Sequence, residues 1–232
     1  MERHELESLL AQVQDEYLLR MTQGDGHLLQ QVEHYLASRN GKMLRPRMTL
    51  MAAATLGEAQ LHSRKTLLLA VCVEMLHNTS LLHDDVIDRA DTRRGLPSVN
   101  AHWSNAVAVL VGDYHLAKIM ELLEEVDDIE VSRMVNNVVK SMVESELLQQ
   151  EILSGRQMTE KDYLDIIDGK TALLFATAAA LGNPACRDFG FHYGRLFQLR
   201  DDLADGEGTP WTEQLIVREE QAINQLQLIL NI

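Results

Sequence analysis

The segment LLHDDVID places three carboxylates, Asp84, Asp85 and Asp88, within five residues. On a helix Asp84 and Asp88 lie one turn apart on one face, with Asp85 beside them. FQLRDDLAD repeats that spacing much later in the chain with Asp201, Asp202 and Asp205. Repelling carboxylates this close weaken a helix by roughly a few tenths of a kcal/mol per pair unless cations sit among them. One such triplet is most simply a solvated helix end. Two, each preceded by an apolar run, suit a shared task. Mg²⁺ takes carboxylate oxygens together with phosphate oxygens and retained water, so two facing triplets would hold metal ions around a diphosphate. Calcium loops differ, because they set ligands on alternate loop residues around a central glycine.

Basic residues, scarce in this chain, gather beside the acidic ones. Lys42 and Arg45 stand in GKMLRP, and Arg93 and Arg94 follow the first triplet in ADTRRG. Arginine makes forked contacts with phosphate oxygens, and lysine acts as a point charge. Alone, RRG is an ordinary surface turn. Beside GKMLRP and HDDVID it suggests a second diphosphate, held without metal.

The elements that must position these residues are helices. Of 232 residues 46% are hydrophobic, and Leu, Ala, Met, Glu and Gln are favoured, residues that lose little rotamer freedom in a helix. Clusters of Val, Thr and aromatic residues joined by hairpin turns are missing, which gives an all-α class. Helices are predicted over about 2–22, before the Gly24-Asp25-Gly26 turn, and about 28–38. Gly41 then breaks the chain, and Pro46 falls where a first helical turn tolerates it. Further helices are predicted over about 62–88, 98–125 and 129–153, with a loop at 91–97. Thr159 and Asp162 form a capping box for a helix reaching about Leu181. Asn183-Pro184 opens one to about Asp205, and Thr209-Pro210 opens the last. No repeat, linker or low-complexity tract is evident.

Three of these helices carry a stripe that is apolar at one end and polar or ionic at the other. They are Ala70, Val73, His77, Leu81, Asp84 and Asp88; Gly194, Gln198, Asp201 and Asp205; and Val135, Val139, Met142, Glu146 and Gln149. Desolvating an unpartnered charge is costly, so the shared trend predicts a cavity greasy at depth and charged at its mouth.

A net charge of −14 argues against nucleic acid, which needs a basic footprint. Most of the acidic residues simply keep the protein soluble. Cys72 and Cys186, far apart, read as buried thiols of a reducing compartment. MERHELESLL is unlike a secretory signal, and the apolar runs 67–76 and 171–181 are too short to cross a bilayer. The expected location is cytoplasmic.

At these residues the sequence resembles the trans-isoprenyl diphosphate synthase family. GKMLRP is similar to the family's GKxxRP, and HNTSLLHDDVIDRADTRRG to its first aspartate-rich region. VGDYHLAK, SELLQQ, GKTALLF and FQLRDDLAD follow in the family's order. The likeness covers about residues 9–205, within one isoprenoid synthase domain spanning 1–232, and HDDVID with RRG is most like the long-chain polyprenyl enzymes. It implies a single antiparallel helical bundle around a central cavity, shortened at its C-terminal end, and a homodimer.

The resemblance also implies roles. Asp84, Asp85, Asp88, Asp201, Asp202 and Asp205 would bind Mg²⁺ on the allylic diphosphate, three ions with substrate bound, and Arg93 would touch the same group. Lys42, Arg45, His77 and Arg94 would hold isopentenyl diphosphate. A lone helical histidine is more often a core residue, and the motif match is what moves His77 to the site. Lys170, Thr171 and Gln198 would line the reaction centre, with Gln149 nearby. The implied chemistry is ionisation of the allylic substrate, attack by the isopentenyl double bond, and proton loss to the departing diphosphate. Mg²⁺ and Lys170 would stabilise that group's charge. Thr79 and Ser80, one turn before the first triplet, are small, which would let a tail pass at least to Met75 and Leu76 and yield a product longer than farnesyl. Met120 or Met142 could plug that path, and a greasy product could keep the protein near a membrane.

After Asp205 the likeness fails: residues 206–232 depart from the family pattern and contain no lysine. Either the subunit is naturally short or a flexible stretch is missing from the sequence. Arg200 is unusual within the second motif and would pair with Asp201 or face solvent. Three readings stand: an active prenyl diphosphate synthase, a non-catalytic or regulatory partner subunit, and a terpene cyclase. Intact triplets disfavour the second. DDLAD and GKMLRP disfavour the third.

Overall fold

Helix caps and breakers, more than helix interiors, decide where this chain turns. The computed structural model describes residues 1–38 and 41–230. In chain order its elements are α1 (Arg3–Met21), α2 (His27–Ala37), α3 (Leu44–Ala54), α4 (Glu58–Leu61), α5 (Arg64–Ile87), β1 (Thr92–Arg93), β2 (Leu96–Pro97), α6 (Val99–His102) and α7 (Asn105–Val126). Then come α8 (Ile129–Leu153), α9 (Glu160–Ile167), a π-helical turn (Asp168–Ala172), α10 (Leu173–Gly182), a 3₁₀ turn (Pro184–Cys186), α11 (Arg187–Asp205) and α12 (Thr212–Leu230). The all-α expectation holds, with one two-stranded hairpin among the described residues.

Several boundaries follow their predicted chemistry. Thr159 and Asp162 form the expected reciprocal capping box of α9, and Asn183 accepts from the Ala185 N–H. Elsewhere the structure differs from the sequence reading. The predicted helix over 98–125 breaks at Trp103, because Ser98 and Ser104 each cap a helix of their own. The predicted loop at 91–97 closes into the hairpin. The last helix starts at Thr212 rather than beside Pro210, because Thr212 Oγ1 accepts the Thr209 N–H at 2.8 Å. The helix ending near Leu181 contains the π turn, which no periodicity announced.

The chain divides into two compact units. The first comprises residues 1–47 and 67–128. One of its clusters is Val32, Leu82, Val99, Ala108 and Val111, contributed by α2, α5, α6 and α7. The second comprises residues 48–66 and 129–232. There Tyr163, Ile167, Leu199 and Leu215 join α9, α11 and α12. Cys72 and Cys186 are free and buried.

Helix α5 as a whole has the length and mean hydropathy of a membrane span, which the short apolar run within it did not suggest. Two thirds (67%) of its most apolar 18-residue stretch is buried, as in the core helix of a water-soluble domain.

Candidate active site

In the first unit the aspartates of HDDVID lie at the end of α5. Asp84 is half-buried and Asp88 exposed. Asp85 is only 3% exposed. Its Oδ1 accepts from Arg93 Nε at 2.8 Å and lies 2.6 Å from Nη2. The helix end is tied down by Asn100, whose amide donates to the carbonyls of Asp85 and Ala90 at 3.1 Å each.

Arg93 and Arg94 sit on the hairpin, where Thr92 pairs with Pro97 and Arg93 with Leu96. The two turn residues, Arg94 (φ 54°) and Gly95 (φ 77°), both have positive φ, the type I′ pattern that matches strand twist. Glycine meets that demand without a Cβ penalty; Arg94 adopts it against its preference. Tyr35 braces the other strand, donating its hydroxyl to the Pro97 carbonyl at 2.8 Å. The Arg94 guanidinium packs on Gly41, where a Cβ would lie 2.9 Å from Nη2. The loop before α3 and the RRG turn therefore meet.

Burial, then Arg45, Arg94 and Arg93, push the His77 imidazole well below its ordinary range, so it is neutral at pH 7. Burial and Arg94 bring Arg45 down to about 10 against the opposing charge of Glu74, and it stays protonated. Glu74, 3% exposed, is the acidic counterpart of this basic group, and sequence reading missed it. Lys42 is exposed. A cavity of about 40 Å³ lined by Tyr17, Gly41, Glu74, Asn78, Asp85 and Arg94 has room for water but not for a prenyl tail. Thr79 and Ser80 turn their hydroxyls onto their own helix, toward the carbonyls of Met75 and His77. Met120 is 63% exposed.

In the second unit the π turn presents Lys170 and Thr171 side by side. Lys170 Nζ donates to Glu146 Oε2 at 2.5 Å and to Gln149 Oε1 at 2.9 Å. Thr171 donates to Gln198 Oε1 at 2.7 Å, and Gln198 Nε2 donates to Asp202 Oδ1 at 2.7 Å. Tyr163 fills the other oxygen of Asp202 at 2.6 Å. Asp201 and Asp205 are exposed, and no side chain pairs with either among the described residues. Two carboxylates one turn apart, with hard oxygens and free lone pairs, are a donor set that suits Mg²⁺. The π turn is held by Arg195, which grips Asp168 through Nε at 2.5 Å and Nη2 at 2.6 Å and reaches buried Glu219 at 3.2 Å. Arg200 pairs with Glu220 at 2.6 Å, so it does not pair with Asp201.

Each unit thus gathers its own share of the expected residues. Tyr163 was missed although it left a trace: it lies four residues before Ile167 on the apolar face of α9, and a buried phenol needs a partner.

Residues 26–218 match the model of the polyprenyl synthetase family. The chain belongs to this family. It is 39% identical over 188 residues to an all-trans-nonaprenyl-diphosphate synthase (geranyl-diphosphate specific) of Rhodobacter capsulatus, covering 77% of this chain and 57% of that protein. It is 33% identical over 205 residues to octaprenyl diphosphate synthase of Escherichia coli K12, covering 82% and 62%. A crystal structure of a Rhodobacter capsulatus decaprenyl diphosphate synthase superposes with a TM-score of 0.80 at 34% identity, covering 87% of this chain and 64% of that one. A polyprenyl synthase from Caulobacter crescentus CB15, crystallised with calcium and isoprenyl diphosphate, gives 0.81 at 33%, covering 89% and 65%. The chain therefore spans between 57% and 65% of the length of these relatives. Fold class and family agree with the sequence reading.

Proposed function

We propose that this polyprenyl synthetase is a Mg²⁺-dependent trans-prenyltransferase that condenses isopentenyl diphosphate with an allylic diphosphate, releasing diphosphate, to make a polyprenyl diphosphate longer than farnesyl. The observation that carries this reading is the family match over 26–218 on a chain that keeps both aspartate triplets and the basic loops. The relatives' names supply the long-chain product class.

The metal, when bound, supplies Lewis-acid stabilisation of negative charge on the leaving group. Half-buried Asp84 and exposed Asp88 in the first unit, and exposed Asp201 and Asp205 in the second, are the side chains that would hold metal ions. The calcium bound in the Caulobacter crystal structure supports a divalent ion. Arg45, Arg94 and Lys42 supply positive charge for isopentenyl diphosphate, and neutral His77 supplies a hydrogen bond rather than a charge. Lys170, already aligned by Glu146 and Gln149, supplies a fixed cation to the departing diphosphate. The Gln198 and Thr171 dipoles face a developing carbocation, and apolar surroundings keep water from it. We further propose a cytoplasmic homodimer that associates with membrane surfaces through its product.

The test is incubation of the purified protein with Mg²⁺, labelled isopentenyl diphosphate and geranyl or farnesyl diphosphate, followed by sizing of the products. Successive extension beyond farnesyl is expected. No extension with any allylic primer would overturn the reading in favour of a partner subunit.

A further inference from the structure

Asp202 is built into the protein differently from its neighbours in the second triplet. Both of its oxygens are filled from within the second unit, Oδ1 by the Gln198 amide at 2.7 Å and Oδ2 by the Tyr163 hydroxyl at 2.6 Å. A carboxylate only accepts, so every hydrogen around it must point inward. This settles the Gln198 amide: its nitrogen faces Asp202, because the reverse orientation would set an oxygen against a carboxylate. Gln198 Oε1 is then turned to Thr171, whose hydroxyl donates to it at 2.7 Å. A directed chain results, with Thr171 donating to Gln198 and both Gln198 and Tyr163 donating to Asp202.

Tyr163 is the rigid end of that chain. It is 6% exposed, with its ring among Ile167, Leu199 and Leu215 and with Trp211 packed against the same cluster. Only its hydroxyl is polar, and the nearest alternative partner is Thr212 Oγ1 at 3.5 Å. A ring locked this way cannot follow a wandering carboxylate; the carboxylate must come to it.

We propose that Tyr163 is a positioning residue that acts through Asp202 to fix Gln198 and Thr171, and that Asp202 anchors this chain rather than ligating metal. The inference rests on the prenyltransferase reading for what Gln198 and Thr171 do. In the second triplet it leaves metal binding to Asp201 and Asp205, whose oxygens have no side-chain partner among the described residues.

The test uses the Y163F, D202N and D201N variants of the full chain, with two readouts. Steady-state kinetics should show Y163F and D202N losing about tenfold or more in kcat, the cost of a hydrogen bond to a charged group, with KM for both substrates unchanged. Binding of Mn²⁺ with inorganic diphosphate, followed by electron paramagnetic resonance, should be unchanged in Y163F and D202N and weakened in D201N. A W103F background leaves Trp211 as the sole tryptophan, and its emission verifies packing beside residue 163. If Y163F does not fold, the near-isosteric D202N carries both readouts. Wild-type kcat in Y163F, or Mn²⁺ affinity lost in D202N as in D201N, overturns the inference. A wild-type protein without turnover on any primer fails the prenyltransferase reading itself, and the Mn²⁺ measurement still judges the role of Asp202.

Discussion

Asp84 and His77 stand on the same stripe of α5 and have opposite electrostatic tasks. Under the proposed function, removing the Asp84 carboxylate takes away an oxygen that would hold the metal, while leaving a helical position that alanine fills well. Asp84→Ala should therefore lower turnover by about a hundredfold or more with an unchanged circular dichroism spectrum. A fully active variant would contradict the metal assignment. His77 is held neutral by burial and by Arg45, Arg94 and Arg93, so its folded pKa lies below the ordinary 6.5. Between those two values the unfolded chain binds the proton and the folded one does not. Its contribution is complete above about pH 6.5 and is lost as pH falls toward the folded value. Urea midpoints at about pH 7.5 and pH 5.5 should therefore converge when His77 is replaced by Gln. The same pH sensitivity in wild type and H77Q would show that His77 is not buried neutral. The aspartates and arginines were legible as types and spacings; the neutrality of His77 was not, because it arises first from burial and then from three guanidinium groups, and only the fold supplies either.

At the scale of elements, the hairpin and the π turn matter most, and both escaped the sequence reading. The hairpin is only two residues per strand, too short for any alternation to show, and its one cue was the RG pair that a type I′ turn accepts. Gly95→Val forces a β-branched residue into positive φ at a cost of about 1–2 kcal/mol, which should lower Tm by about 2–8 °C. An unchanged Tm would mean that the turn is not held in this geometry. The π turn is set by a tertiary network, so local periodicity could not announce it. Arg195→Met strands Asp168 without its cation and leaves buried Glu219 with the His192 imidazole as its partner, and stability should fall by about 3 kcal/mol. In a double-mutant cycle with Asp168→Asn the two losses should be far from additive; additive losses would deny that the pair acts as a unit. By contrast α8 matched its predicted limits of 129–153, because an uninterrupted amphipathic pattern dictates its own length.

At the scale of the whole molecule, helical composition and motif order were enough to indicate fold class and family. What they could not supply was the internal engagement of the site: Lys170 on Glu146, Arg93 on Asp85, and Tyr163 on Asp202. These partners come from distant parts of the chain and from residue types too common to stand out. Product length belongs to this scale as well. Thr79 and Ser80 leave α5 slender one turn before the triplet, so Ser80→Phe should shorten the products found by chromatographic sizing, and an unchanged distribution would contradict that tail path. The central claim is transfer of a prenyl group between two diphosphates, and it is tested most directly by measuring diphosphate release against isopentenyl incorporation. One diphosphate per isopentenyl unit incorporated is expected, only when Mg²⁺ and both substrates are present. Release from the allylic substrate alone, as a cyclase or hydrolase would give, or no release under any condition, would contradict it.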